Sequence, residues 1–264
     1  STGAQNTSIW RQHLMLYAAI CKRPVFIFDA GTGIKALSDH LLATRDAKLN
    51  AKIFISHPHW DHINALPFFA PLYIPGNEFE ILGAAHASIS LRDLISAQMD
   101  DIYFPITMKD FGSHVGFREL AQGAFVVDGI NVKTMLLSHP GNCLGYRIDY
   151  KGRSICYITD NELFLPESPN HDPNYGDSLA SFIEGSDALI TDCTYSDAEI
   201  CHQGRVGSFM HQPGRRIGAS CKYPRSIPCP PRPGPGRRCN RWKSRTRKKI
   251  YARSEYFDRC AGAS

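Results

Sequence analysis

The chain has 264 residues, 43% of them hydrophobic, which is enough apolar material for one α/β domain of ordinary size. Its formal charge of +5 averages two unlike parts, because residues 1–204 carry 14 Lys and Arg against 23 Asp and Glu, whereas residues 205–264 carry 16 against 2. No stretch approaches the roughly twenty apolar residues of a membrane span, so a protein embedded in a membrane is not expected.

Hydrophobic periodicity predicts alternating strands and helices. The predicted strands are short apolar runs: 24–29, 53–55, 79–83, 124–127, 130–137, 144–148, 154–158 and 187–192. Asp128-Gly129 and Lys151-Gly152 are turn signals that join two pairs of these strands into hairpins. The predicted helices have apolar residues three and four positions apart: 34–44, a short helix beginning at 63, 86–99, and 177–183 with Asp177 as its cap.

The most informative stretch follows the predicted strand 53–55, where His57, His59, Asp61 and His62 lie within six residues. In an extended segment His57 and His59 point the same way and can share one cation, while Asp61 and His62 begin the next turn and can reach a second. Imidazole and carboxylate ligands suit zinc, and manganese or iron is compatible with them. Packing does not explain four potential ligands at this spacing, so the sequence predicts a metal centre.

The pattern H-x-H-x-D-H after an apolar strand resembles the signature of the metallo-β-lactamase-fold hydrolases. Other segments match one branch of that superfamily: Asp29-Ala-Gly-Thr-Gly33, Ala65-Leu-Pro-Phe-Phe69, Ser138-His139-Pro140-Gly141 and Tyr157-Ile-Thr-Asp160. That branch is similar to the cyclic-phosphate and cyclic-nucleotide phosphodiesterases, with the tRNA 3′-processing nucleases as related enzymes. The resemblance covers about residues 24–204. It implies a four-layer αββα sandwich, with an atypical segment at 1–23, a C-terminally incomplete hydrolase domain at 24–206 and a basic tail at 207–264.

The resemblance also implies a dinuclear zinc site. His57, His59 and His139 would hold one ion, Asp61 and His62 the other, Asp160 would bridge them, and Asp29 would support the metal loop by hydrogen bonding. A hydroxide between the cations would attack a small cyclic phosphate or nucleotide, and Asp61 would orient it. Hydrolysis of a thioester or a β-lactam is the alternative within this fold, although thioesterase relatives usually have glycines where this chain has Leu66-Pro-Phe-Phe69.

The expected partner is therefore a small-molecule phosphodiester. A nucleic-acid partner is allowed but not favoured, no membrane is expected, and a homodimer is allowed. The nine cysteines include no C-x-x-C pair and no secretory leader is recognisable, so reduced thiols and a cytoplasmic location are expected.

The two ends depart from the family pattern. Residues 221–249 are rich in Pro, Arg and Cys without periodicity, which predicts a disordered basic tail able to bind nucleic acid through phosphates. The family takes its last metal ligand from a His-His-Asp-Pro segment that this chain lacks, and neither His202 nor His211 lies in a matching motif. A copy without this ligand would be catalytically impaired.

A shift of the reading frame by one base accounts for both departures. It permits residues 230–243 to read H-H-D-P-D-Q-D-D-D-A-I-D-G, and residues 9–15 to read Y-G-G-N-T-S-C. We therefore hypothesise that both ends are out-of-frame translations. Sequencing the source DNA tests this hypothesis, and a coding sequence that stays in frame through Gly207 would contradict it.

Overall fold

A computed structural model describes residues 16–19, 25–44, 47–102, 104–164, 166–191 and 249–251, which form two β-sheets and their flanking helices. The first sheet follows the order of the chain: β1 (Leu16–Ala19), β2 (Val25–Phe28), β3 (Asn50–Phe54), β4 (Glu78–Gly83) and β5 (His114–Glu119). Its first pair is antiparallel and the others are parallel. The second sheet also follows chain order: β6 (Gly123–Val127), β7 (Ile130–Leu136), β8 (Leu144–Tyr150), β9 (Arg153–Ile158), β10 (Ala188–Thr191) and β11 (Lys249–Tyr251). Only β9 and β10 are parallel among these pairs.

Four α-helices and three short 3-10 segments accompany the described strands. The helices are α1 (Gly33–Thr44), α2 (Trp60–Ile63), α3 (Leu91–Ala97) and α4 (Tyr175–Ile183), and the 3-10 segments are Leu66–Phe68, Ala70–Tyr73 and Met108–Asp110. None of the helices in the described ranges is long and apolar enough to cross a lipid bilayer.

Three apolar clusters arrange these elements in layers. An aromatic-rich cluster lies between the sheets, where Phe28 and Phe54 stack with ring centroids 5.2 Å apart and Tyr146 packs on both. Strand β2 alternates, so Phe26 and Phe28 belong to this inner cluster while Val25 and Ile27 belong to the cluster beneath α1 and α3. Helix α4 covers the outer face of the second sheet with Leu179 and Ile183. The predicted αββα sandwich is confirmed.

Several predicted boundaries are wrong for local reasons. The helix predicted at 86–99 begins only at Leu91, because residues 86–89 form a bridged turn and Ser90 caps the helix by accepting a hydrogen bond from the Asp93 amide at 3.1 Å. Helix α4 begins at Tyr175 with Asn174 at its N-cap position, so Asp177 is a first-turn residue rather than the cap. The helix predicted to begin at residue 63 ends there, and prolines then start two 3-10 turns.

The described parts of the two ends are strands at sheet edges. Strand β1 pairs with β2, and β11 pairs with β10. The rest of the predicted disordered tail, the out-of-frame segments, His202 and His211 lie outside the described residues. Cys143 and Cys156 are buried, and the remaining cysteines lie outside the described ranges.

Candidate metal centre

The candidate ligands lie where four strands end, two in each sheet. Asp29 directly follows β2, and His57 comes three residues after the end of β3. His139 follows β7, and Asp160 follows β9. Because β2 and β3 are parallel neighbours, their carboxyl ends meet at one edge, and the facing sheet brings the other two residues to the same place.

Three imidazoles form the first group of ligand atoms, and they come from His57, His59 and His139. Nε2 of His57 lies 2.8 Å from Nδ1 of His59, which in turn lies 3.1 Å from Nε2 of His139. His57 is 2% exposed, whereas His59 is open to solvent. Nitrogens around a tetrahedral zinc ion lie about 3.3 Å apart, so these three nitrogens are close to the spacing that one cation requires.

A second group shares His57 with the first and adds His62 and Asp160, its ligand atoms lying within 4.8 Å of one another. Nε2 of His62 is 2.7 Å from Oδ2 of Asp160. The Asp61 side chain is 64% exposed, and its Oδ2 lies 3.7 Å from the same His62 nitrogen. Asp61 therefore borders this group from the solvent side. His57 is the residue common to both groups.

A buried carboxylate supports the loop from below. Asp29 is fully buried, and its Oδ2 accepts hydrogen bonds from Nδ1 of His62 at 2.8 Å, the Tyr157 hydroxyl at 2.7 Å and the Ser56 hydroxyl at 3.0 Å. Its Oδ1 accepts the Ser56 amide hydrogen at 2.7 Å. One carboxylate thus joins Tyr157 of the second sheet to Ser56 and His62 in the segment that follows β3.

Two acidic residues of the site, Asp29 and Asp160, have left-handed backbone conformations. Asp29 has φ 60° and Asp160 has φ 54°, values that residues other than glycine rarely adopt. Each stands at the point where a strand stops, so the left-handed turn redirects the chain while the carboxylate points into the site. Such strained residues persist where the surroundings over-determine them, and they cluster at functional sites.

The electrostatics differ sharply among the histidines. Burial lowers the pKa of His57 to about 3, with the nearby His62 adding to the effect, so the His57 ring is neutral and able to act as a ligand at neutral pH. Burial and the neighbouring His139 also lower the pKa of His59. Burial opposes a charge on His62, but Asp29 and Asp160 raise its pKa to about 10. A cation at Nε2 of His62 would therefore have to displace a proton.

The pKa of Asp29 reflects opposing effects. Burial raises it, but the charge of His62 and the hydrogen bonds from His62, Ser56 and Tyr157 hold it below the ordinary value of 3.8. The carboxyl group is therefore ionised at neutral pH and acts only as a hydrogen-bond acceptor.

Sequence reasoning assigned no role to four side chains that contact this constellation. Ser56 and Tyr157 bind Asp29, Cys143 Sγ lies 3.6 Å from Nδ1 of His57, and Glu162 Oε1 lies 3.4 Å from Nδ1 of His139. The local signal in the sequence is that Ser56 is a polar residue directly after the apolar run Ile53-Phe54-Ile55. The structure shows that this serine is fully buried.

Known proteins share this organisation. The family model described as the beta-lactamase superfamily domain matches residues 25–214. Ribonuclease Z of Lactococcus lactis subsp. cremoris MG1363 is 32% identical over 149 residues, which covers 50% of this chain and 42% of that protein. Ribonuclease Z of Prochlorococcus marinus MIT 9215 is 25% identical over 194 residues, covering 71% of this chain and 58% of the relative. The chain thus spans about half the length of the curated relatives it matches.

Two solved structures resemble the fold at low sequence identity. The human tRNase Z short form has a TM-score of 0.53 and 22% identity, covering 83% of this chain and 86% of that one. Unliganded yeast PDE1 has a TM-score of 0.52 and 12% identity, covering 75% of each chain. These likenesses concern the fold alone. Because the family match extends over residues 25–214, well beyond half of the chain, the protein belongs to the metallo-β-lactamase superfamily and is related to the ribonuclease Z proteins.

Proposed function

We propose that the protein is a metal-dependent phosphodiesterase whose site binds two divalent cations, with zinc expected and manganese or iron compatible. This proposal rests on the two ligand groups that share His57, because two adjacent groups of ligands suit two neighbouring cations. In this proposal His57, His59 and His139 hold one cation, and His62, Asp160 and Asp61 hold the other. When bound, the cations would lower the pKa of a water molecule and neutralise charge on a phosphate.

The chain's own residues would divide the remaining work. Asp61 is the exposed carboxylate beside the second group, so it is placed to accept a proton from water and to orient it. Asp29 holds His62 by its Nδ1 atom, which leaves Nε2 directed at Asp160. Glu162 lies near Nδ1 of His139 and would keep the other nitrogen of that ring turned inward.

A small cyclic phosphodiester is the proposed substrate. Residues 1–204 carry 14 Lys and Arg against 23 Asp and Glu, a balance that disfavours a long polyanion and tolerates a small one. The second candidate is an RNA phosphodiester. Two observations favour an RNA substrate. The chain is 32% identical to a ribonuclease Z, and residues 205–264 are basic, with 16 Lys and Arg against 2 Asp and Glu.

Metal analysis and a substrate panel test these alternatives. We expect about two zinc ions per chain and turnover of bis-p-nitrophenyl phosphate. A cyclic nucleotide and an RNA with a 3′ extension then separate the two candidates, and a thioester and a β-lactam report the other activities of the fold. Fewer than two cations without turnover of any substrate would refute the proposal and indicate a catalytically impaired copy.

His59→Ala provides the sharpest variant, because His59 contacts both other members of the first group while its side chain is open to solvent. We expect hydrolysis to be abolished in a protein that still folds, with lower thermal stability when metal is present. His86→Ala is the matched control, since His86 is an exposed histidine outside both groups. Retained turnover in His59→Ala would contradict the ligand assignment.

A further inference from the structure

One hydroxyl group lies between the buried carboxylate and the histidine that both ligand groups share. Ser56 Oγ is 3.0 Å from Oδ2 of Asp29 and 3.1 Å from Nδ1 of His57. The serine is fully buried, and its backbone is held on both sides, by its amide bonding to Asp29 at 2.7 Å and by its carbonyl accepting from the Leu144 amide at 2.8 Å. The hydroxyl therefore stays in this position rather than rotating to solvent.

Counting hydrogens settles which group donates to which. A carboxylate can only accept, so the single hydroxyl hydrogen of Ser56 points at Asp29. The oxygen of Ser56 then has lone pairs to offer, and Nδ1 of His57 can contact it only as a donor. His62 does not compete for this oxygen, because its Nδ1 is 3.2 Å from Ser56 Oγ but 2.8 Å from the charged Asp29.

The other neighbour of this nitrogen leads to the same arrangement. Cys143 Sγ donates to the Thr159 carbonyl at 3.6 Å, so towards Nδ1 of His57 it presents a weakly accepting sulfur, also at 3.6 Å. A hydrogen on Nδ1 of His57 can be donated to Ser56 Oγ and directed towards Cys143 Sγ. An Nδ1 without a hydrogen would instead face two groups that already donate their own hydrogens to Asp29 and to the Thr159 carbonyl. The ring must then leave Nε2 without a hydrogen, and this atom lies 2.8 Å from His59.

We propose that Ser56 is a positioning residue that fixes the tautomer of His57. By donating its hydrogen to Asp29, Ser56 accepts the Nδ1 hydrogen of His57, so that the Nε2 lone pair of this ring faces His59 in the first ligand group. The functional consequence rests on the proposed metal centre, but the tautomer is a property of the protein alone. Removing the hydrogen-bonding partner of a ligand histidine commonly lowers metal affinity by about 10- to 100-fold, so we expect Ser56→Ala to weaken zinc binding within that range.

The test reads the tautomer directly in the full chain labelled with ¹⁵N-histidine. Long-range ¹H–¹⁵N correlation spectra at neutral pH, after removal of metal with a chelator, distinguish a hydrogen on Nδ1 from one on Nε2. We expect His57 to carry its hydrogen on Nδ1 in the wild type and to populate both forms in Ser56→Ala. Competition with a chromophoric chelator measures the accompanying loss of zinc affinity.

Tyr157→Phe is the matched control. It also removes a hydroxyl from Oδ2 of Asp29, at 2.7 Å, but the Ser56 hydroxyl stays beside His57. We expect this variant to keep the Nδ1 hydrogen on His57. A wild-type His57 with its hydrogen on Nε2, or a Ser56→Ala variant with the wild-type tautomer and zinc affinity, would overturn the inference. A protein that binds no zinc but shows the expected tautomers would refute the proposed function and leave this inference standing.

Discussion

Asp29→Asn is the substitution for which the structure predicts the largest loss of stability without a change of shape. The carboxylate is 0% exposed, accepts four hydrogen bonds and faces the imidazole of His62. Asparagine fills the same volume but replaces one accepting oxygen with a donating amide nitrogen. Up to four donors would then converge on one remaining oxygen and one NH₂ group, and the charge opposite His62 would be gone.

The magnitude follows from the bonds that asparagine cannot replace. The amide oxygen can keep the contacts of one former carboxylate oxygen, and the Tyr157 hydroxyl can turn to accept, so about two charge-assisted bonds are lost. Each contributes about 1.5–3 kcal/mol, so we expect the free energy of unfolding to fall by about 3–6 kcal/mol. With an m-value of about 2–3 kcal/mol/M, the urea midpoint should fall by about 1–3 M.

Urea unfolding followed by circular dichroism at neutral pH, with a chelator present in all samples, measures this loss. Asp39→Asn is the control, because the Asp39 side chain is 62% exposed and its ion-pair partner among the described residues is Lys35 on the helix surface, so we expect a change below about 0.5 kcal/mol. A loss of less than about 1 kcal/mol in Asp29→Asn would refute the reasoning, since it would mean that Asp29 is not the ionised acceptor of the network.

Three further substitutions test the packing and electrostatics of the second sheet and of helix α4, which covers it. Gly145→Ala should destabilise the protein by about 1–3 kcal/mol in the same unfolding assay, because a Cβ there would lie 2.7 Å from Ile158 Cδ1 and 2.9 Å from Leu137 Cδ2; a wild-type midpoint would contradict this contact. Leu179→Ala should cost about 2–5 kcal/mol, since this α4 side chain is fully buried against the second sheet, and a loss below about 1 kcal/mol would indicate that α4 does not pack on that sheet. Asp187→Asn tests pH dependence. Burial raises the pKa of Asp187, but Arg153 and the Ser154 amide hold it below 3.8, so its stabilisation is present above about pH 3.8 and disappears as the pH falls through the lowered value. Unfolding midpoints of wild type and Asp187→Asn should therefore differ at pH 6 and converge in acid, whereas a constant difference would contradict the assignment.

Local sequence patterns were sufficient for most strands and for the composition of the site. Strands β2, β3, β4 and β6–β10 follow from apolar runs, and both hairpin turns follow from their glycines, whose preceding residues Asp128 and Lys151 have φ of 49° and 47°. Strand β5 was missed, because its residues are only partly buried at a sheet edge and include His114, Gly116 and Arg118, which break the apolar run. The start of α3 was also missed, because a capping serine and a turn outweighed helical periodicity.

Strand periodicity and the His57 to His62 spacing are local properties of the chain, so the sequence by itself predicted an α/β protein with a set of candidate ligands. The superfamily and its αββα architecture followed from the resemblance of those motifs to a known family, not from periodicity. Only the tertiary structure decided which atoms meet. His139 lies 80 positions from His59 in the chain, yet their ring nitrogens are 3.1 Å apart, and Tyr157 reaches Asp29 across 128 positions. Such contacts arise from the packing of one sheet on the other, which no window of neighbouring residues encodes. For the same reason the roles of Ser56 and Tyr157 appear only in the folded protein, where a single buried carboxylate gathers their hydroxyls beside the histidines.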